Sequence, residues 1–205
     1  MAILIPIPNG TSTATPTLPR LDARLGAALN YVRGGTVADV GTDHAYLPIV
    51  LLKRGLCRFA IASDIHKGPA QIAAQHLAAH GISADNAVVL QTDGLNGVEP
   101  YHPDDILIFG MGGEMIVHIL EDAPWLQAPH VRLILQPMTH AELLRTYLDN
   151  AGFCIVAEQL CQTDRVYQVI CAEYDGHIRT HSPMERLIGT HNLQRRDEQC
   201  VALVN

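Results

Sequence analysis

The sequence predicts an α/β fold: a mostly parallel, seven-stranded sheet with helices on both faces and an antiparallel last strand. Short apolar runs alternate with amphipathic helical patterns along most of the chain. Two β-rich runs then follow one another directly, with only a turn between them. Helices between strands favour parallel pairing, whereas a direct turn gives an antiparallel pair.

The elements follow in order after a first helical stripe between Leu21 and Val32, which ends at Gly34-Gly35. Strands are predicted at Val37–Val40, Phe59–Ala62, Ala87–Gln91, Ile106–Phe109, Arg132–Leu135, Cys154–Leu160 and Val166–Glu173. Helices are predicted at Tyr46–Arg54, Pro69–His80 and Glu114–Leu120, and from a capping box at Thr139–Glu142 to Asn150.

Composition limits the class of protein. With 205 residues and 48% hydrophobic content, we expect one domain with a substantial core. The net charge of −7 argues against a broadly basic surface for nucleic acid, although a local basic face remains possible. Five cysteines without a C-x-x-C pair indicate reduced thiols in a cytoplasmic protein. No apolar run has the length of a membrane span, and Pro6 and Pro8 interrupt an N-terminus that does not resemble a signal peptide.

The most informative stretch is Ala38–Pro48, where a strand ends in an acidic residue and a glycine and leads through a polar turn into a helix. This is the pattern of a nucleotide-type cofactor site. Counted from Gly41, however, the second glycine of a dinucleotide fingerprint is replaced by Asp43, which puts a negative charge where a pyrophosphate would lie. The turn therefore favours a ligand that is neutral or cationic there, and S-adenosylmethionine fits better than NAD.

Polar residues or glycines also end the next strands, at the edge where open α/β sheets bind ligands. Asp64 could accept hydrogen bonds from ribose hydroxyls, and Asp93 could reach an adenine amino group. The fourth strand ends in Gly110–Gly113 and the fifth in Gln136–Met138. Taken singly, the carboxylates could be helix caps or turn residues, and the glycines could serve only packing. Their joint placement at one edge favours a site.

The eleven histidines raise the question of a metal site. His76 and His80 are four residues apart, as are His177 and His181. No H-E-x-x-H motif or cysteine pair supports zinc, so surface histidine pairs are the better interpretation and no metal is predicted.

The chain resembles a known family in several of these motifs. The bacterial tRNA adenine-N1 methyltransferases that act on adenine 22 share Asp39–Pro48, Gly68-Pro69, Asp93–Leu95, Gly110–Gly113, Leu133–Pro137 and Val166–Val169. The resemblance spans about Leu21 to Tyr174. It implies a Rossmann-like class I methyltransferase fold, S-adenosyl-L-methionine as cofactor and tRNA as substrate. No membrane or metal partner is expected from the sequence, which does not fix the oligomeric state; a monomer is favoured.

The resemblance, together with the strand-end argument, gives the predicted site. The cofactor is expected at Gly41, Thr42, Asp43, Asp64, Ile65, Asp93, Gly94, Gly110 and Met111. The target base is expected at His44, Tyr46, Gly112, Gly113, Gln136 and Pro137. Tyr46 could equally pack against a helix, and His44 could only bond the turn. Because adenine N1 carries an in-plane lone pair, no strong general base is expected, and catalysis would be by positioning.

The chain departs from the family at three places. Asp64 stands where the family usually has Glu, Met138 where it usually has Asn, and only Met184–Asn205 stands where the family has a helical C-terminal domain. We expect a flexible tail at 1–19, the methyltransferase domain at 20–176, and at 177–205 a segment that begins or remains from a tRNA-binding domain. Two alternatives stay open: a non-catalytic S-adenosylmethionine- or RNA-binding module, and a nicotinamide-dependent dehydrogenase.

Overall fold

The computed structural model of the chain describes residues 1–8, 16–196 and 198–203. Its strands form one sheet in the order β1-β4-β3-β2-β5-β6-β8-β7. The strands are β1 Ile3–Ile5, β2 Thr36–Val40, β3 Phe59–Asp64, β4 Ala87–Gln91, β5 Asp105–Met111, β6 Arg132–Pro137, β7 Phe153–Gln162 and β8 Val166–Tyr174. The α-helices are α1 Ala23–Ala28, α2 Tyr46–Lys53, α3 Lys67–Ala79, α4 Gly113–Glu121, α5 Ala141–Asn150, α6 Pro183–Ile188 and α7 Thr190–Arg195.

The predicted fold class is confirmed, with one strand more than expected. The chain divides into two units, one made of residues 1–21 and 32–107 and the other of residues 22–31 and 108–205.

In the first unit, β2, β3 and β4 are parallel neighbours, with Val40 opposite Ser63 and Asp64 opposite Gln91. Their inward side chains are small or β-branched and fully buried, which lets α2 and α3 pack closely on the sheet. The register brings the carboxyl ends of the three strands to the same edge. The residues just after Val40, Asp64 and Gln91 therefore lie near one another.

The prediction of a flexible tail at 1–19 is wrong for its first residues. Ile3–Ile5 pairs antiparallel with β4, with Leu4 opposite Leu90. A three-residue edge strand shows no periodicity in the sequence, and Pro6 directly after it marks a break without revealing the strand. Residues 9–15 of the predicted tail lie outside the described part of the chain.

In the second unit, β8 runs antiparallel to both β6 and β7, as the two consecutive β-rich runs predict. The predicted capping box at Thr139–Glu142 is wrong. Helix α5 begins after His140, which adopts φ 54° and makes no side-chain cap, while the carbonyl of Thr139 accepts a hydrogen bond from Gly113 at 2.8 Å. The capping box of this unit is formed by Ser182 and Glu185 at the start of α6.

The C-terminal segment is divided into several short helices. Gly189, with φ 96°, separates α6 from α7, and a 3-10 helix at Glu198–Leu203 follows. A buried ion pair between Arg145 of α5 and Glu158 of β7 holds the segment. Arg145 also donates to the carbonyl of Arg186 at 2.9 Å, and Glu158 accepts from the backbone of His191 at 3.1 Å.

Among the residues that the structure describes, no helix combines the length and apolarity needed to cross a membrane.

Candidate functional site

The turn after β2 is built without a phosphate cradle. Gly41 has φ 74° and Asp43 has φ 50°, so the chain reverses tightly before α2. The backbone N–H groups of Gly41 and Thr42 both donate to the carbonyl of Ser63, at 2.8 and 2.9 Å. Amides that are already bonded within the protein cannot receive a pyrophosphate. The geometry therefore agrees with the charge of Asp43 in disfavouring a dinucleotide.

Asp39 is a residue of this turn that was not included among the predicted site residues. Its side chain is almost fully buried and accepts a hydrogen bond from the Thr42 hydroxyl at 2.7 Å. Burial raises the pKa of Asp39 to about 6; the Thr42 hydrogen bond opposes this and the charge of Asp64 adds to it. The signal was present in the sequence, since an acidic residue ends an otherwise apolar strand.

Asp64 and Asp93 lie at the same edge of the first unit. One oxygen of Asp64 accepts from the backbone of His66 at 2.8 Å, which fixes the carboxylate at the end of β3. Helix α3 begins at Lys67 after His66, so Asp64 is not its N-cap residue. Asp93 is exposed, and its backbone carbonyl accepts from Asn96 at 3.2 Å.

Two further predicted residues complete this edge. The side chain of Ile65 is 52% exposed, directly after the carboxylate of Asp64. Gly94 has φ 53° and turns the chain after Asp93. An exposed apolar side chain beside the fixed carboxylate of Asp64, with the exposed Asp93 at the same edge, suits a ligand with hydroxyl groups, an amino group and a flat apolar ring. These residues fit S-adenosylmethionine.

Three aromatic or imidazole rings meet at the start of α2. The rings of His44 and Tyr46 stack with centroids 5.2 Å apart, and Tyr46 lies parallel to His76 at 5.8 Å. Nδ1 of His76 lies 3.1 Å from the His44 carbonyl, so this nitrogen carries a proton and donates to it. In the sequence, His76 stands out only as half of a histidine pair. Its role in the ring cluster depends on the packing of α3 against the turn.

In the second unit, Gln136 is fully buried and organises the end of β5. Its side-chain oxygen accepts from the backbone of Gly110 at 3.2 Å, and its side-chain nitrogen donates to the Pro137 carbonyl at 2.8 Å. Gly110 adopts φ 76° at this point. Gln136 has no exposed surface, so in this structure it positions the glycine loop and does not line an open face. Pro137 is buried as well.

Close backbone approach explains two of the predicted glycines. Any Cβ at Gly113 would lie 2.2 Å from the His140 carbonyl, and one at Gly112 would lie 3.2 Å from the Thr139 hydroxyl. The backbone of Met138 donates to the carbonyl of Met111 at 2.7 Å. The loops after β5 and β6 therefore lie directly against each other, which only glycine at position 113 allows.

Met138, the departure from the family, lies beside Arg24. Nη1 of Arg24 lies 3.2 Å from the Met138 sulfur. The central carbon of the Arg24 guanidinium lies 5.0 Å from the centre of the Tyr167 ring. Arg24 also forms an ion pair with Asp22 at 2.7 Å. Arg24 is thus a structural cation of this unit.

The histidine pairs contact backbone and carboxylate groups. Nδ1 of His80 lies 2.8 Å from the His76 carbonyl, and Nδ1 of His181 lies 2.9 Å from the Asp149 carboxylate. Within the described residues, no group of three or more histidine, cysteine or acidic side chains is arranged to hold a metal.

Comparison with known proteins agrees with these features. A protein-family model for a methyltransferase domain matches residues 21–170. A tRNA (adenine(22)-N(1))-methyltransferase of Bacillus subtilis (strain 168) is 36% identical over 166 residues, which cover 77% of this chain and 69% of that protein.

Two solved structures share the fold over most of the chain. A candidate tRNA (m1A22) methyltransferase of Streptococcus pneumoniae, in complex with S-adenosyl-L-methionine, is 34% identical with a TM-score of 0.82 and covers 89% of this chain and 85% of that one. The B. subtilis m1A22 tRNA methyltransferase TrmK is 30% identical, with a TM-score of 0.81. The match covers 89% of this chain and 80% of the TrmK chain.

Sequence, turn geometry and structural similarity lead to one conclusion: the chain belongs to the tRNA (adenine(22)-N(1))-methyltransferase family.

Proposed function

We propose that this chain transfers a methyl group from S-adenosyl-L-methionine to N1 of an adenine in tRNA, and that adenine 22 is its target. The observation that carries the proposal is one edge of the first unit, where the fixed carboxylate of Asp64 and the exposed Asp93 lie with a turn whose amides are already bonded. That edge suits a cationic nucleoside and not a dinucleotide. The family membership supplies the nucleic-acid substrate.

When bound, S-adenosyl-L-methionine supplies a methyl group on a positively charged sulfur, which the lone pair of adenine N1 can attack directly. Asp64 would accept hydrogen bonds from the ribose hydroxyls, and Asp93 would accept from the adenine amino group of the cofactor. Ile65 would cover the flat face of that adenine. Gly41, Thr42, Asp43 and Gly94, and in the second unit Gly110 and Met111, would shape the backbone around the cofactor.

The residues of the target pocket have different tasks. We assign His44 and Tyr46 to stacking on a target base that is taken out of the RNA helix. Removing the base from the helix costs stacking energy, and stacking on flat side chains offsets this cost. We assign Gly112 and Gly113 to close backbone approach, and Gln136 and Pro137 to holding the glycine loop in place. None of these side chains needs to remove a proton before the transfer, so their contribution is alignment.

The proposal extends to organisation and location. Residues 20–176 would form the methyltransferase domain. Residues 177–205 would form a C-terminal segment that is the remnant or the start of a helical tRNA-binding domain. We propose a cytoplasmic monomer acting on free tRNA.

The direct test is the transfer of labelled methyl groups to unmodified bacterial tRNA, with a tRNA in which adenine 22 is replaced as control. We expect label in the natural tRNA and none in the replaced one. Binding of the cofactor without any turnover would support a non-catalytic module and refute the enzyme. Label in both tRNAs would retain the methyltransferase and refute adenine 22 as the target.

A further inference from the structure

A cleft in the first unit adjoins the ring cluster of His44, Tyr46 and His76. It has a volume of about 560 Å³. Its walls come from the segment Pro16–Arg20, from Tyr46 at the start of α2, and from the last turns of α3 at His76, Ala79 and His80. This volume lies within the range of about 300–1,000 Å³ that is usual for small-molecule sites.

The cleft presents flat rings. Tyr46 and His76 both line it, and their rings are parallel to within 4°. The side chain of Tyr46 is 38% exposed although it begins a helix whose next residues are buried. Parallel, partly exposed rings are the surface on which proteins stack single-stranded bases, because every base has a flat π-face.

The charge of the cleft is opposite to that of the chain as a whole. The chain carries 21 acidic residues and a net charge of −7, yet none of the described residues that line this cleft is acidic. Arg20 is exposed at its wall, and the rings of His76 and Tyr46 supply flat surfaces beside it. A local basic and aromatic lining is suited to a phosphate with its base.

The wall at Pro16–Arg20 is held in place. Nε2 of His80 lies 3.3 Å from the Thr17 carbonyl, while Nδ1 of the same ring lies 2.8 Å from the His76 carbonyl. His80 is nearly buried, and Pro16 and Pro19 limit the freedom of the segment. A pre-formed wall reduces the ordering cost of binding.

We infer that this cleft binds an RNA nucleotide next to the methylated adenine, with its base on the His76 ring and its phosphate at Arg20. The inference rests on the proposed function. The cleft adjoins the cofactor turn, since Tyr46 follows Ala45 at the end of that turn. An adjacent nucleotide held there would keep the RNA strand from sliding while the target base is out of the helix.

The first experiment measures tRNA binding by fluorescence anisotropy with S-adenosylhomocysteine present, over a range of salt concentrations. We expect Arg20→Glu to weaken tRNA binding about tenfold. The slope of log K against the logarithm of the salt concentration should become smaller in magnitude by about one. Arg54→Glu is the matched control: Arg54 is an exposed arginine of the same unit that lies outside the cleft, and it should leave both values near wild type. Equal effects of the two variants would overturn the inference.

The second experiment detects the base itself. 2-Aminopurine is placed on either side of adenine 22, and its fluorescence is followed on binding. Stacking should quench one of the two positions in wild type, and His76→Ala should remove that quenching while its melting temperature shows that it is folded. Without quenching at either position, the inference is overturned even if the wild type methylates tRNA. Failure of methylation with the quenching intact would instead refute only the proposed function.

Discussion

The carboxylate of Asp39 accepts a hydrogen bond from the hydroxyl of Thr42 at 2.7 Å, and both side chains are buried at the turn after β2. Burial raises the pKa of Asp39 from 3.8 to about 6, so the native state binds this proton more tightly than the unfolded chain does. The contribution of Asp39 to the free energy of unfolding therefore decreases as the pH rises from about 4 to about 6. Above that range this stabilising contribution is fully lost.

We predict that Asp39→Asn increases the free energy of unfolding at pH 7.5 by up to about 3 kcal/mol, the equivalent of the shift in pKa. The asparagine oxygen can still accept from Thr42. Urea unfolding at several pH values between 4 and 8 checks this, and the gain should disappear near pH 4. A variant that is less stable than wild type at pH 7.5 would contradict the buried-charge argument.

Asp64 should be needed for the cofactor. We predict that Asp64→Ala weakens binding of S-adenosyl-L-methionine by about 10- to 100-fold, since a carboxylate that accepts two hydroxyl hydrogen bonds is lost. Isothermal titration calorimetry measures the change. Asp64→Glu, the residue usual in the family, is the matched control and should stay within a few-fold of wild type. Unchanged affinity in Asp64→Ala would remove this residue from the site.

Gly113 should tolerate no side chain. In Gly113→Ala the new methyl group would lie 2.2 Å from the His140 carbonyl, so the loops after β5 and β6 must separate. We predict a loss of about 2 kcal/mol or more in the free energy of unfolding. Gly68→Ala is a fair comparison, because Gly68 lies in α3 with open space around it and should be neutral or slightly stabilising. Equal stabilities for the two variants would show that the close approach is not maintained in solution.

The ion pair of Arg145 and Glu158 should hold the C-terminal segment. Arg145 is 3% and Glu158 1% exposed, and both bond the backbone of the helices that follow β8. Arg145→Met would leave a buried carboxylate without its cation, at a cost of about 3–5 kcal/mol. Thermal unfolding measures this. Arg145→Met/Glu158→Met should recover part of the loss, and a double variant as unstable as the sum of the single ones would argue against direct coupling.

His44 and Gln136 should both affect methyl transfer, but in different ways. We predict that His44→Ala lowers kcat about tenfold or more by removing a stacking ring. Gln136→Ala should lower both kcat and thermal stability, because Gly110 loses its partner. Steady-state kinetics with tRNA, combined with melting curves, separates the two effects. Unchanged methylation in both variants would refute the proposed pocket.

Much of the first unit was predictable because its signals are local. An apolar run that ends in a carboxylate or glycine marks the end of a buried strand, so the common edge at which Gly41, Asp64 and Asp93 lie was predicted from sequence. Edge strand β1 was missed because three residues carry no periodicity. The capping motif at Thr139 failed because its backbone carbonyl is engaged by Gly113, a contact with a residue 26 positions away in the sequence.

The roles of Gln136 and His76 could not be predicted for a related reason. Each acts through a partner that only the folded chain brings near: the Gly110 amide for Gln136, and the rings of the turn for His76. A strand-end position predicts that a residue is close to a site. It does not distinguish a side chain that contacts a ligand from one that supports the contacting loop.

Strand β1 has a further consequence for handling this protein. Its pairing covers the hydrogen-bonding edge of β4, and Ala2 fits so closely against Gly97 that a Cβ there would lie 2.6 Å from the alanine methyl group. An uncovered strand edge invites pairing with another chain. A shortened protein that begins after residue 8 would expose the backbone of β4 at residues 89–91, and its first defect would be aggregation, before any loss of catalysis.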